Sequence, residues 1–213
     1  MHRLPENARY DRETIDGILD AGLVAHVGIA DDGVPIVVPM AYARRGDRLF
    51  LHGSVASRLV RAVHAGAEVC VTVTIVDGVL LARSAFNMSM SYRSVVVLGR
   101  AEPVDDPGER LDALGAIMEH LVPGHWEHVR APNERELRAT LVVAVPLDEV
   151  SAKVGEGPPT DEAEDLALPH WAGEIPFRTV ALAPRTDPRL APGIGPPASV
   201  RDYTRVPAAP ASF

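Results

Sequence analysis

Leu49-Phe50-Leu51-His52-Gly53-Ser54-Val55-Ala56-Ser57-Arg58-Leu59-Val60-Arg61 is a strand that stops at a glycine and passes at once into a helix. The alternation of bulky apolar residues ends at His52, and Gly53-Ser54 supplies a turn at little steric cost. Beyond it Ala56, Leu59, Val60 and Val63 fall at helical spacing, and Gly66 is the expected stop. Ser57 and Arg58 belong to the first turn of that helix, with Arg61 one turn on. Free backbone N–H groups, a hydroxyl and a guanidinium converge at a positive helix end, an arrangement suited to a phosphate. A surface helix with exposed arginines accounts for the same stretch equally well.

On the N-terminal side, residues Asp11 to Ala21 have the spacing of a short amphipathic helix with Ile15, Ile18 and Leu19 on one face. Two β-rich runs, Leu23–Ile29 and Val34–Tyr42, flank Asp31-Asp32-Gly33 and predict a hairpin. Pro35 and Pro39 cannot donate ladder hydrogen bonds, so the second run is expected at a sheet edge with open backbone. On the C-terminal side, Glu68–Val76 is a β-branched strand. Asp77-Gly78 reads as a second hairpin turn into Val79–Phe86, and Tyr92–Gly99 as a further strand. Asp105-Asp106-Pro107 caps a helix through Leu121, with Leu111, Leu114, Ile117 and Met118 inward. Glu134–Leu137 is a helical turn before the strand Thr140–Val145. Repeated hairpins with few helices between them point to a small antiparallel barrel.

The 213 residues suit one domain, taken as 1–177, followed by an extended arm over 178–213 that holds seven of the 19 prolines. The arm either wraps over a neighbouring subunit or is loose. A net charge of −8 opposes broad nucleic-acid or anionic-membrane binding, so an anionic ligand needs a local cationic cluster. The one cysteine, Cys70, sits in an apolar run and reads as a buried thiol. With no signal-like start and no membrane-length apolar run, the expected location is the cytoplasm.

No dinucleotide fingerprint, Walker loop, zincin motif or nucleophile elbow is present. His120, His125 and His128 flank a Pro-Gly, but no Cys or carboxylate completes a metal set, and a solvated helix end explains them better. What remains is a barrel with polar residues at strand ends: His52, Ser54, Ser57, Arg58, Arg83-Ser84 and Tyr92-Arg93-Ser94.

Taken as an ordered set, V-P-M-A-Y-A (38–43), L-F-L-H-G-S-V-A-S-R-L (49–59), D-G-V-L-L-A-R-S-A-F (77–86), S-Y-R-S-V-V-V-L-G-R-A (91–101), S-A-K-V-G-E-G-P-P-T-D (151–161) and W-A-G-E-I-P (171–176) resemble one family. It is the pyridoxamine 5′-phosphate oxidase-related flavin-binding family, in the branch of the nitroimidazole-resistance-type flavin proteins. The resemblance implies a mainly β fold with flanking helices: an FMN-binding split β-barrel, six-stranded, antiparallel and Greek-key, here with a C-terminal extended arm. It also implies a homodimer with cofactor at the subunit interface.

Carried onto this chain, Ser57, Arg58 and Leu59 match the segment that holds the FMN phosphate, Val37, Val38, Pro39 and Met40 the backbone along the isoalloxazine, and His52, Gly53 and Ser54 the segment under the ribityl chain. Arg83 and Ser84 match polar positions near the flavin, and Trp171, with Lys153, is a candidate to reach the partner's site; for Trp171 an arm anchor packed on the barrel is an equal reading. Met40 stands where true pyridoxamine-phosphate oxidases place a phosphate-binding lysine. Asn87-Met88 replaces an expected histidine pair, and His125 an expected arginine. The substrate signature of the vitamin pathway is also missing, so pyridoxamine phosphate is not the expected substrate. The activity implied is hydride transfer from NAD(P)H through FMN to a small nitroaromatic or quinone-type electrophile. Non-catalytic flavin binding or sensing is the alternative, and FAD, F420 or haem are the alternative cofactors.

Overall fold

The computed structural model describes residues 7–205. The first six residues of the expected domain and the last eight of the arm lie outside that range. Asp11 caps α1 (Arg12–Ala21), its side chain accepting from the Thr14 N–H at 2.8 Å, and the face Ile15-Ile18-Leu19 is buried as its spacing predicts.

Among the described residues, eleven strands form two antiparallel sheets. The large sheet runs β1 (Ala8–Arg9), β10 (Glu149–Gly155), β7 (Ser89–Arg100), β6 (Glu68–Leu81), β2 (Ala25–Asp31), β3 (Val34–Met40). β11 (Gly173–Pro176) pairs with the far half of β6, beyond the residues that pair with β2. The small sheet runs β4 (Tyr42–Arg45), β5 (Arg48–Ser54), β9 (Thr140–Pro146), β8 (Glu102–Pro103). The fold is mainly β with a few helices, as expected, but six strands closed into a barrel is corrected: the sheets stay open. β3 ends the large sheet because Pro35 and Pro39 tolerate no ladder on that side. The chain then leaves the large sheet at Ala41 and enters the small one at Tyr42.

The small sheet is buried on both faces, which is why Val142–Val145 reads as a continuous apolar run. Leu49, Leu51, Val143 and Val145 join Val27, Val71, Val73, Val95 and Val97 of the large sheet in the main core. Phe50, Val142 and Ala144 face α3 (Pro107–Leu121) in a second cluster. The fully buried residues of α3 are Ala113, Gly115, Ala116 and Ile117; Leu114, expected inward, is partly buried against the same cluster, while Leu111 and Met118 are only partly buried.

Asp77-Gly78 is not a hairpin turn. β6 continues through it with a bulge between Val76 and Gly78, and the Asp77 side chain turns inward at 5% exposure. Arg93 of β7 donates to both Asp77 carboxylate oxygens, at 2.8 and 2.7 Å, and the Asp77 carbonyl accepts from the Phe177 N–H. A buried ion pair therefore occupies the place where the composition of the stretch signals a turn. By contrast Asp32 and Gly33 both have positive φ, as a two-residue hairpin turn requires.

Gly53 is fixed by packing. A Cβ there would lie 2.6 Å from Val60 Cγ2 on α2 (Arg58–His64). Gly53→Ala is expected to push α2 off β5 at a cost of about 1–3 kcal/mol, read as a lowered denaturant midpoint.

Residues 177–197 contain no helix or strand, but residues 198–205 are anchored on the body of the chain. After the short helix Ala198–Arg201, Tyr203 Oη donates to the Leu121 carbonyl at 3.0 Å. Arg205 donates to the carbonyls of His120 and Gly22. His120 Nε2 also bonds the Gly22 carbonyl, at 2.7 Å. Burial first, then the Arg205 charge, holds the His120 ring below its ordinary value. The unfolded chain thus binds the proton more readily, so the contribution of this anchor is complete above about pH 6.5 and is lost as pH falls toward the lower folded value. Amide exchange over 198–205, corrected for intrinsic rate, is expected to accelerate between about pH 7.5 and about pH 5.5, and His120→Gln to flatten that dependence.

Candidate functional site

The site residues expected from the sequence fall into two groups. The first meets at the corner where β3, β5 and α2 come together. Tyr42 pairs with Leu51, two residues on from the end of β3 at Met40, and Gly53 of β5 lies against Val60 of α2. The chain then turns through Ser54, whose Oγ accepts from the Ala56 N–H at 3.1 Å, and Ser57 caps α2 by accepting from the Val60 N–H at 3.3 Å. Both hydroxyl protons remain free to donate.

Among the described residues, the Arg58 and Leu59 N–H groups have no partner. The Arg58 side chain is 62% exposed, and its Nε donates to Asp31 at the tip of the β2–β3 hairpin, leaving both terminal nitrogens unengaged. The Leu59 side chain is buried in the core, so only its backbone faces outward. The corner thus gathers hydroxyls, backbone N–H groups and a guanidinium on one rim, the donor set an anion needs.

β3 supplies the adjoining wall. A proline sits in an edge strand where its missing N–H points away from the ladder, and positions 35 and 39 share that side with Val37. Between the prolines, Val37 therefore presents the edge's one outward N–H. Val37 is exposed, Val38 less so, and Met40 packs against the core. A groove of about 710 Å³ runs beside this edge over the outer sheet face, walled by Gly28, Ala30, Pro35, Val37, Cys70 and Leu98. Cys70 is only partly buried and sits in this wall, against the expectation of a buried thiol. His52 is mostly enclosed, with Nδ1 buried and unpartnered, and its burial holds the ring below its ordinary value, hence neutral.

The second group lies at the opposite end of β6. Arg83-Ser84 is not on a strand but just past Leu81, in the loop to β7. Asp161 fixes it from 78 residues away, accepting from the Arg83 N–H and from Nη1, each at 2.8 Å. The Asp161 side chain is buried. Burial raises its pKa, but the hydrogen bonds from Arg83 and from the Arg83 and Ser84 N–H groups outweigh it and hold the carboxyl below its usual range. Ser84 Oγ accepts from the Phe86 N–H. Gly173 pairs with Leu81, which places Trp171 just past the ladder, beside Arg83 in register, with its ring against the Gly173 backbone. Trp171 is 68% exposed. Lys153 is elsewhere, its Nζ over the Tyr92 ring.

Asp31 lies level with residue 67 by the β2–β6 register, so β6, about 43 Å if fully extended, separates the Arg58 corner from the Arg83–Trp171 end. Asp31 and Asp161, the two carboxylates that orient these arginines, carry no sequence signal: one reads as a turn residue and the other as part of an acidic loop. Of the three histidines near Pro123-Gly124, His120 is engaged by Gly22 and Arg205, and His125 Nδ1 by Ser199.

Residues 11–154 match the family model described as pyridoxamine 5′-phosphate oxidase. The chain belongs to that family. Among solved structures of related proteins, the flavocytochrome Anf3 from Azotobacter vinelandii is 42% identical, with 95% of this chain and 94% of that one covered at a TM-score of 0.90. An FAD- and haem-binding protein from Mycobacterium smegmatis is 39% identical, covering 92% and 96% at 0.87. A candidate 5-nitroimidazole antibiotic resistance protein from Bacteroides thetaiotaomicron is 28% identical, covering 69% and 86% at 0.58. Comparison with curated proteins gives no match. Among the described residues, no helix of this family member is long and apolar enough to cross a membrane.

Proposed function

We propose that this pyridoxamine 5′-phosphate oxidase family member binds a flavin nucleotide, FMN or FAD, at the β3–β5–α2 corner and is a redox protein acting on a small electrophile. The reading rests on one observation: full-length likeness to proteins described as a flavocytochrome and as an FAD- and haem-binding protein, in a chain whose corner offers a matching donor set. The residues fit such a ligand. Ser54, Ser57, Arg58 and the N–H groups of Arg58 and Leu59 take the phosphate; the Val37 N–H and the β3 carbonyls face the polar edge of the ring system. The groove beside them, apolar along Pro35, Val37 and Leu98 and charged at Glu68, Arg100 and Glu149, offers a flat surface for the ring system. A bound flavin supplies the hydride and electron chemistry, so no side-chain nucleophile is needed.

The Arg83–Trp171 end is too far from the corner to serve the same pocket within one protomer. We assign it to the site of a second copy, in an isologous homodimer where each end meets the other's corner. Haem as a further cofactor is favoured by the same two relatives. NADH or NADPH is the proposed electron donor.

The test is the visible spectrum of the purified protein, loaded with FMN or FAD, before and after anaerobic NADH or NADPH. A flavin band that bleaches supports the redox reading. A band that persists makes the protein a flavin binder without that donor. Failure to retain either flavin on gel filtration overturns the assignment.

A further inference from the structure

We infer that Asp161 is a positioning residue: it clamps Arg83 so that the free edge of the guanidinium meets an anionic oxygen of the flavin nucleotide held by a second copy. This rests on the flavin and homodimer readings above. It adds to them the residue that aims the arginine and the chemistry that the arginine receives. The family model stops at residue 154, so the arginine comes from the family body and its clamp from the segment past it.

The geometry of the pair carries the inference. A guanidinium has one edge, formed by Nε and Nη2, that presents two parallel N–H bonds to a carboxylate or phosphate. Arg93 uses this edge on Asp77, with Nε on one oxygen and Nη2 on the other. Arg83 does not. It gives Asp161 its Nη1, outside that edge, and its backbone N–H, each at 2.8 Å, and the Ser84 N–H bonds the same carboxylate. Among the described residues nothing accepts from Nε or Nη2, and Nε is buried. A buried cationic donor without an acceptor is costly in the isolated protomer. The Arg83 side chain keeps 28% of its surface open to a neighbour.

Asp161 differs in this from Asp31 at the other end of β6. Asp31 accepts from Arg58 Nε, so it occupies part of the edge that an anion would use, and that pair is largely solvent-exposed. The Asp161 side chain is 1% exposed and leaves the corresponding edge of Arg83 whole. The first carboxylate competes with a ligand, whereas the second fixes the rotamer of a side chain that would otherwise lose its freedom on binding. Phe86 and Trp171, both exposed at this end, supply apolar surface for a second copy to cover.

The experiment measures dissociation constants and reduction potentials with FMN and with FAD, beside light scattering for the dimer, in the full-length wild type and four variants. Arg83→Ala is expected to weaken flavin binding roughly 10–150-fold, the range for a hydrogen bond to a charged group. Asp161→Asn, which keeps the size and one oxygen but loses the charge that draws Nη1, is expected to weaken it about tenfold or more. The double variant should bind no more weakly than Arg83→Ala alone, because Asp161 acts through the arginine. Arg83→Lys gives Asp161 a charge without the fork, so it should keep the melting temperature and still lose affinity. If the oxygen belongs to the ring system, FMN and FAD suffer alike, and the potential falls by about 30 mV for each tenfold lost by the reduced form over the oxidised. If it belongs to the second phosphate of FAD, FAD alone suffers and the potentials hold. A wild type that retains no flavin overturns the reading of the corner and this inference with it. A wild type that binds flavin as a monomer leaves the corner and overturns the inference. Constants and potentials unchanged in Asp161→Asn, or a further loss when it is added to Arg83→Ala, overturn the positioning role alone.

Discussion

Arg58→Ala is expected to weaken flavin retention by roughly 10–150-fold, the equivalent of the about 1.5–3 kcal/mol carried by a charge-assisted hydrogen bond. The loss should be read as a raised dissociation constant in a fluorescence titration with FMN and FAD. Thermal stability should barely change, because the Arg58–Asp31 pair is largely solvent-exposed and such pairs contribute about 0–1 kcal/mol. That contrast gives the experiment its force: a core residue would lose both properties together. Asp31→Asn removes the carboxylate that competes for the guanidinium, and binding is expected to hold or tighten. An Arg58→Ala protein with the wild-type constant for both flavins would remove the phosphate assignment at this corner.

Asp77→Ala is expected to cost about 3–5 kcal/mol of stability, because two charge-assisted hydrogen bonds from Arg93 inside the sheet are lost with the carboxylate. In a domain of this size that is a fall in Tm of roughly 6–20 °C by scanning calorimetry. Asp77→Asn, which keeps the shape and one acceptor, should fall less. Because Asp77 lies at the half of β6 that carries β11 and Trp171, flavin affinity measured well below either transition reports separately whether that end reaches a flavin site. A melting temperature within 2 °C of wild type, on the scale of a surface substitution of about 0.5 kcal/mol, would show that the pair is not a stabilising element.

These two carboxylates show where sequence reasoning stops. Asp77 precedes a glycine between two β-branched runs, and Asp-Gly is the strongest short-range hairpin signal. Here a strand partner 16 residues on, Arg93, supplies a counter-charge that draws the aspartate inward, and the ladder continues past it as a bulge. Asp161 is the converse. It stands in an acidic loop where a solvated charge is the ordinary reading, yet it is buried on Arg83 and fixes the second half of the candidate site. Neither contact has a local signature, because the partner is brought by the sheet and not by spacing along the chain.

What the chain wrote locally was legible. The strand running into a turn and helix, the prolines that leave β3 at an edge and the amphipathic face of α1 all follow from residue-by-residue sterics and from the periods of strand and helix, whereas Gly53, expected as the turn, is paired inside β5 and is required by Val60 of α2. Those same stretches, in order, identified the family and drew attention to the corner. Whether the sheets close, how far the Arg83–Trp171 end stands from Arg58, which carboxylate orients each arginine and where the C-terminal segment docks were settled only by tertiary packing. The pairs concerned are separated by 16 to 183 residues, and the free energy of such a pair appears only after the sheet has closed the loop between its members.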